Sequence, residues 1–206
     1  MRTVFHTADP DVESYRLLTA LVVPRPVAWI STLSAEGIGN LAPHSFFSVA
    51  CANPPIVSWT SVGRKDTLAN VLATEEFVVN LATLPQLDLV NASSAAFAPD
   101  DDEAVRLDIE MEPSDSVAPP RVAGSPASLE CRLHSTIELG DSVLVLGAVV
   151  AITVDDYALV EGHPEMARLQ PVSRLGKDEW GLPPTVHATP RPRRPEDVGR
   201  LTTPPA

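Results

Sequence analysis

Through most of the chain, apolar and polar residues follow the two-residue period of β-strands rather than the helical one. VAWISTL at 27–33 is rich in strand formers, and the EGIGN that follows reads as a hairpin turn. HSFFSVAC at 44–51 is stopped by Asn53-Pro54-Pro55, and IVSWTSV at 56–62 and FVVNLA at 77–82 add two more strands. SLECRLHSTIEL at 128–139 alternates cleanly, with Leu129, Cys131 and Leu133 on one face and Glu130, Arg132 and His134 on the other. SVLVLGAVVAITVDD at 142–156 is a long apolar strand, either buried on both faces or bent at Gly147. The turn between these last two is Glu138-Leu139-Gly140-Asp141.

Helical spacing is rarer. DTLANVLATEEF at 66–77 places Leu68, Val71 and Leu72 on one face, with Asp66 or Thr67 able to cap the first turn. LPQLDLVNAS at 84–93 is a second amphipathic helix, and the DDDE run at 100–103 reads as a solvated loop. Strands joined by turns, with few helices and no regular βαβ units, predict an α+β chain that is mainly β, closed as an antiparallel barrel. No GxGxxG occurs, which argues against a doubly wound nucleotide fold.

Composition adds limits to this picture. The chain has 206 residues, 44% of them hydrophobic, enough for one well-filled core. Proline is frequent at 21 residues, and the PPTVHATPRPRRPEDVGRLTTPPA end lacks apolar periodicity. The expected division is an N-terminal arm at 1–14, a body at 15–181, and a Pro/Arg-rich tail at 182–206, extended or disordered, carrying Arg191, Arg193, Arg194 and Arg200. A formal net charge of −12 disfavours nucleic acid as a partner, because phosphate neutralisation needs clustered cations. The start of the chain has no apolar signal core and no stretch of 18 apolar residues occurs, so neither export nor a membrane span is expected. Cys51 and Cys131 form no CxxC motif, which suits reduced thiols and a cytoplasmic location.

The chain carries no HExxH, GxSxG or phosphate-loop motif, and its five histidines lack metal-ligand spacing. With no acid, base or nucleophile announced, and no catalytic residue or metal ligand named, a cofactor should carry any hard chemical step. Two segments hold candidate chemistry. In SVGRKDTLAN at 61–70, Ser61, Arg64, Lys65 and Thr67 stand at a helix start, where unpaired N–H groups favour an anion such as phosphate. The same spacing also fits an exposed turn with Thr67 as a plain cap. In GNLAPHSFF at 39–47, Asn40 and Ser45 are polar groups in an apolar setting, and Pro43 leaves backbone groups free for the edge of a flat heterocycle. It fits equally an irregular strand entry with Phe46 and Phe47 in the core.

Taken together, YRLLTALVVPRPVAWIST, NLAPHSFFSVACANPP, GRKDTLANVLATEEFVVNL, PRVAGSPASLECRL and PVSRLG, in this order, resemble the flavin-reductase-like proteins that bind FMN in a split barrel. The resemblance implies a six-stranded antiparallel split barrel, a homodimer with FMN near the subunit interface, and electron transfer from NADH or NADPH to flavin. It places the phosphate by Ser61, Arg64, Lys65 and Thr67, and the flavin ring along Asn40, Leu41, Ala42, Pro43 and Ser45. It also implies, for some members, delivery of reduced flavin to a separate monooxygenase; others act directly on an organic substrate or only carry electrons. His44 stands where an aromatic residue is common in the family and Trp180 near a frequent tyrosine. Arg25 and Arg174 either reach the flavin or close the barrel mouth.

Overall fold

The computed structural model describes residues 1–195 and 198. Its centre is one antiparallel sheet of seven strands: β1 (Ala28–Leu33), β2 (Gly39–His44), β3 (Phe47–Cys51), β4 (Ile56–Val62), β5 (Glu76–Leu81), β6 (Ala127–Leu139) and β7 (Ser142–Val154). Their spatial order is β2-β1-β5-β6-β7-β4-β3. The two edge strands are consecutive in sequence, separated only by Ser45 and Phe46, and the Thr60 N–H donates to the Phe46 carbonyl at 2.9 Å. The chain itself therefore joins the two edges of the sheet and closes a barrel. Of the expected strand at 44–51, Phe47–Cys51 forms β3, while Ser45 and Phe46 separate it from the additional strand β2, so seven strands are found where six were expected. Counting β2 and β3 as one bent strand restores six.

The barrel interior is filled by Ala28, Ile30, Trp59, Phe77, Cys131 and Val145, together with Leu68 and Val71 from α2 (Asp66–Thr74). Leu72, expected on the same helix face, is 43% exposed. Helix α2 stops at Glu75, which turns the chain with φ 60° so that Glu76 and Phe77 begin β5. In β7 the ladder to β6 shifts register at Leu146/Gly147, and a Cβ at Gly147 would overlap the Phe77 ring. Burial along β7 alternates, so of the two expectations the bend at Gly147 is the one realised.

A second apolar cluster lies outside the barrel, where Trp29 and Leu41 meet Val90 of α3 (Leu87–Ala92) and Ala104 of α4 (Glu103–Arg106). The expected helix at 84–93 is divided: Leu84–Gln86 forms a 3-10 turn with Pro85 near its start, and α3 follows. Helix α4 replaces the expected solvated loop at 100–103, and Asp102 caps it by accepting from the Ala104 and Val105 N–H groups. Glu130, on the strand face opposite Leu129 and Cys131, is fully buried under residues 111–122, where it accepts from the Asp115 and Ser116 N–H groups and from Arg121.

An additional helix, α1 (Ser14–Leu21), precedes the barrel. The short strand Arg25–Pro26 pairs with Ser173–Arg174, which pairs with Trp180–Gly181. Residues 182–194 contain no helix or strand, and Arg200 lies outside the described residues. Among the described residues, no helix is long and apolar enough to cross a membrane.

Candidate functional site

Strand β2 has one neighbour, β1, so its other edge is available. The Leu41 N–H points along that edge and donates to the Glu103 carboxylate at 2.8 Å. Two residues on, the same edge position belongs to Pro43, which has no N–H, and Ser45 follows at the break. The edge thus offers mainly carbonyls plus whatever Ser45 contributes. Leu41 turns its side chain into the outer apolar cluster, whereas Asn40, Ala42, Pro43 and His44 line a cavity of about 340 Å³.

Arg64, Lys65, Asp66 and Thr67 form the opposite wall of this cavity. Neither Asp66 nor Thr67 caps α2: Lys65 occupies the cap position, and no side chain bonds to the first turn. The Thr67 hydroxyl is turned instead to Asn40, accepting from its Nδ2 at 3.0 Å; the same Nδ2 donates to Thr32 at 3.3 Å. This leaves N–H groups of the first turn without an intrahelical or side-chain partner, beside two cations. Arg64 pairs with Glu138 at 3.0 Å, with both side chains largely in solvent. Ser61 is not at the cavity. It is fully buried, and its hydroxyl donates to the Gly63 carbonyl at 2.7 Å, bracing the turn that presents Arg64 and Lys65.

The sequence reading missed two contributors. Residues 93–97, from Ser93 to Phe97, wall the cavity, and Ser93 also accepts from the Trp29 indole N–H at 2.9 Å. Glu103 lines the same space. Burial raises its carboxyl pKa above the ordinary value, a shift partly opposed by the hydrogen bond from Leu41 and reinforced by Asp102 and Asp66. The readable signal for Glu103 was Asp102, an N-cap residue directly ahead of EAVR. His44 is buried against Trp59, ring centroids 4.5 Å apart. Burial and the nearby Lys65 charge push its pKa down to about 4, so the imidazole is neutral at physiological pH.

Beyond Pro43 and Ser94, the cavity leads into a second one of about 530 Å³, lined by Val27, Ser45, Leu87, Arg174 and Trp180 among others. The Arg174 guanidinium lies 4.8 Å from the centre of the Trp180 ring. Arg25 is committed elsewhere. It donates to the carbonyls of Thr19, Val22 and Leu175, which ties the end of α1 to the segment after Arg174. Sharing Pro43 and Ser94, the two cavities make one groove: at one end Arg64 and Lys65 stand beside the uncapped start of α2, balanced in formal charge by Asp66 and Glu103, and the wider end is bounded by Trp180.

The family model of the flavin reductase like domain matches residues 20–165. The chain belongs to the flavin reductase like family. Its split barrel is that of the family, and the match spans Asn40, Arg64, Lys65, Thr67, residues 93–97 and Glu103, but not Arg174 or Trp180. An uncharacterized Deinococcus radiodurans protein is 36% identical over 182 residues, covering 82% of this flavin reductase like chain and 80% of that protein. Nitrilotriacetate monooxygenase component B from Bacillus cereus superposes with a TM-score of 0.86 at 29% identity, covering 92% of this chain and 98% of the other. The 2-nitrobenzoate 2-nitroreductase of Pseudomonas fluorescens gives 0.86 at 26% identity, covering 93% and 97%.

Proposed function

We propose that the protein binds FMN and acts as an NAD(P)H:flavin reductase. The observation that carries this reading is the convergence of Arg64, Lys65 and the uncapped first turn of α2 on one cavity with residues 40–44. In a chain of net charge −12, that is a local site for a dianion. The residues present fit FMN. Arg64, Lys65, Thr67 and the α2 N–H groups suit its phosphate, while Asn40, Ala42, Pro43 and Ser45 border the path toward the wider end of the groove. Glu103 would be a repulsive neighbour, but its carboxylate is held by the Leu41 N–H.

The chemistry FMN supplies when bound is acceptance of a hydride from a reduced nicotinamide and release of the electrons to an acceptor. The protein's part is to bind and orient. Lys65 and Arg64 neutralise the phosphate, and Ser61 keeps their turn in shape. The Asn40–Thr67 hydrogen bond ties β2 to α2, fixing the start of the helix against residues 40–44 of the same cavity. Val27, Leu87 and Trp180 are the apolar part of the groove's wider end, which Asp88, Asn91, Arg174 and Asp178 otherwise make polar. No side chain is assigned an acid or base role.

The reading includes a homodimer in the cytoplasm. Val49, Val62, Ile137, Leu139, Val150 and Ile152, all on barrel strands, are exposed, and a second copy would cover them. With 10 aromatic residues in the chain, a partner subunit also supplies a wall for a tricyclic ring. The likeness to a monooxygenase component supports delivery of reduced flavin to a monooxygenase partner.

Equilibrium dialysis against FMN and riboflavin tests the phosphate site. Arg64→Ala and Lys65→Ala should each weaken FMN by roughly 10- to 150-fold, as a charged hydrogen bond of about 1.5–3 kcal/mol requires, and leave riboflavin unchanged. Because the Arg64–Glu138 pair is solvent-exposed, its loss should not disturb folding. Equal losses for both ligands would contradict the assignment.

A further inference from the structure

Among the charged groups that line the cavity beside α2, Glu103 is the buried one. It is 6% exposed, whereas Arg64 and Lys65 are exposed and Asp66 is half-buried. The Leu41 N–H holds its carboxylate at 2.8 Å, and it makes no ion pair among the described residues. The elements around it bring it little positive charge. On its own helix, Asp102 caps the first turn and Arg106 is turned to Asp101. From β2 come the Leu41 N–H and the neutral His44, and residues 93–97 bring no titratable group. From α2 comes Asp66, with Arg64 and Lys65 ahead of it, and Arg64 also pairs with Glu138. Burial raises the Glu103 pKa, and Asp102 and Asp66 add to the rise.

The formal charges of the cavity cancel before any ligand enters, Arg64 and Lys65 against Asp66 and Glu103. A phosphate monoester brings about two further negative charges at neutral pH. In a space of about 340 Å³, its groups lie within roughly the 10 Å over which charges in 0.1 M salt still interact. Arg64, Lys65 and Asp66 reach solvent, which screens them. Glu103 is shut away from it, so its negative charge is the costliest to keep beside an anion. Uptake of one proton relieves that cost, because a carboxyl oxygen and a phosphate oxygen can hold it between them in a charge-assisted hydrogen bond.

We propose that Glu103 and the bound phosphate share one proton, so that Glu103 makes this site specific for a phosphate monoester that carries a proton. The proposal deepens the FMN reading of the cavity and rests on it. The proton comes from solvent, lies between a Glu103 oxygen and a phosphate oxygen, and returns to solvent on release; no other bond forms or breaks. The Leu41 N–H occupies one carboxyl oxygen and leaves the other for the proton. The two walls then have separate roles. Arg64, Lys65 and the α2 N–H groups supply the attraction, and Glu103 sets the charge state in which the phosphate is accepted. FMN binding therefore weakens as pH rises, whereas riboflavin, which has no phosphate, is indifferent to pH over the same range.

Calorimetric titration with FMN at about pH 7.5, in two buffers of different ionisation enthalpy, counts the protons taken up. The second pKa of a free phosphate monoester is about 6, so free FMN is then almost wholly dianionic, and binding should take up roughly one proton per FMN and none per riboflavin. By the same linkage, equilibrium dialysis should show FMN affinity falling roughly tenfold between about pH 7 and pH 8. Glu103→Gln keeps an acceptor for the Leu41 N–H but holds no proton. It should bind riboflavin like the wild type, which controls for folding, take up no proton with FMN, and lose the pH dependence. FMN binding without proton uptake in the wild type would overturn the proposal and leave the flavin reading intact. Uptake that persists in Glu103→Gln would do the same, and its loss in His44→Phe would then place the proton on His44. If neither flavin binds, the flavin reading falls, and inorganic phosphate replaces FMN in the same titration. Uptake in the wild type and none in Glu103→Gln would keep the shared proton; no uptake in the wild type would overturn it as well.

Discussion

His44 packs its ring on Trp59 at the rim of the cavity beside α2, and its Nε2 is buried without a partner. Its pKa of about 4, against 6.5 for a free imidazole, means that the unfolded chain takes up a proton where the folded one does not. Stability should therefore fall as pH drops from 6.5 to about 4, by roughly 3 kcal/mol from this group. His44→Phe should remove that component, so the stability difference between variant and wild type in urea denaturation should grow in the variant's favour across this window. A constant difference would contradict it. Glu103 shows the opposite sign, since its raised pKa lets the folded state bind a proton first as pH falls. Glu103→Gln keeps an acceptor for the Leu41 N–H and should match or exceed wild-type stability at pH 7. Glu103→Ala strands that N–H and should cost about 1–3 kcal/mol in the same assay. Neither role was legible at the residue level. A histidine in NLAPHSFF gives no sign of its burial, and although Asp102 signals a helix start, only the fold brings the acid that ends the DDDE run back onto β2.

At the level of elements, the strands at 56–62 and 128–139 were legible because alternation or β-branched content persists over their length. The path through 39–51 was not, because Pro43 and the break at Ser45 and Phe46 interrupt the period at the point where β2 leaves β1 and β3 joins β4. Helix α1 was missed for a different reason: Tyr15, Leu18 and Leu21 are exposed, so its apolar pattern is not the imprint of the barrel core. Close approach supplies a further constraint that pattern analysis does not see. A Cβ at Gly39 would overlap the Asp102 carboxylate that caps α4, and α4 in turn carries Glu103 to Leu41. Gly39→Ala should therefore lower the melting temperature by several degrees, corresponding to about 1–3 kcal/mol for a displaced cap and its neighbour. An unchanged melting temperature would show that α4 can shift without loosening β2.

Across the whole molecule, a barrel closed by its own chain sets two adjoining cavities against one outer edge, and the one beside α2 gathers Arg64 and Lys65 in an otherwise strongly acidic chain. The barrel class and the turn that sets Arg64 and Lys65 ahead of α2 were readable from the sequence, because turn-linked strands and cations before a helix are local patterns. The walls made by residues 93–97, Glu103 and Trp180 come from distant segments, and only the fold brings them together. The proposed electron transfer through FMN rests on the cations beside α2, the cavity along β2 and the family. The most direct measurement is anaerobic: NADH, and separately NADPH, is added to FMN-loaded protein while flavin absorbance is followed. The account predicts that at least one nicotinamide bleaches the flavin stoichiometrically and far faster than it bleaches free FMN. Flavin that stays oxidised with both would contradict it.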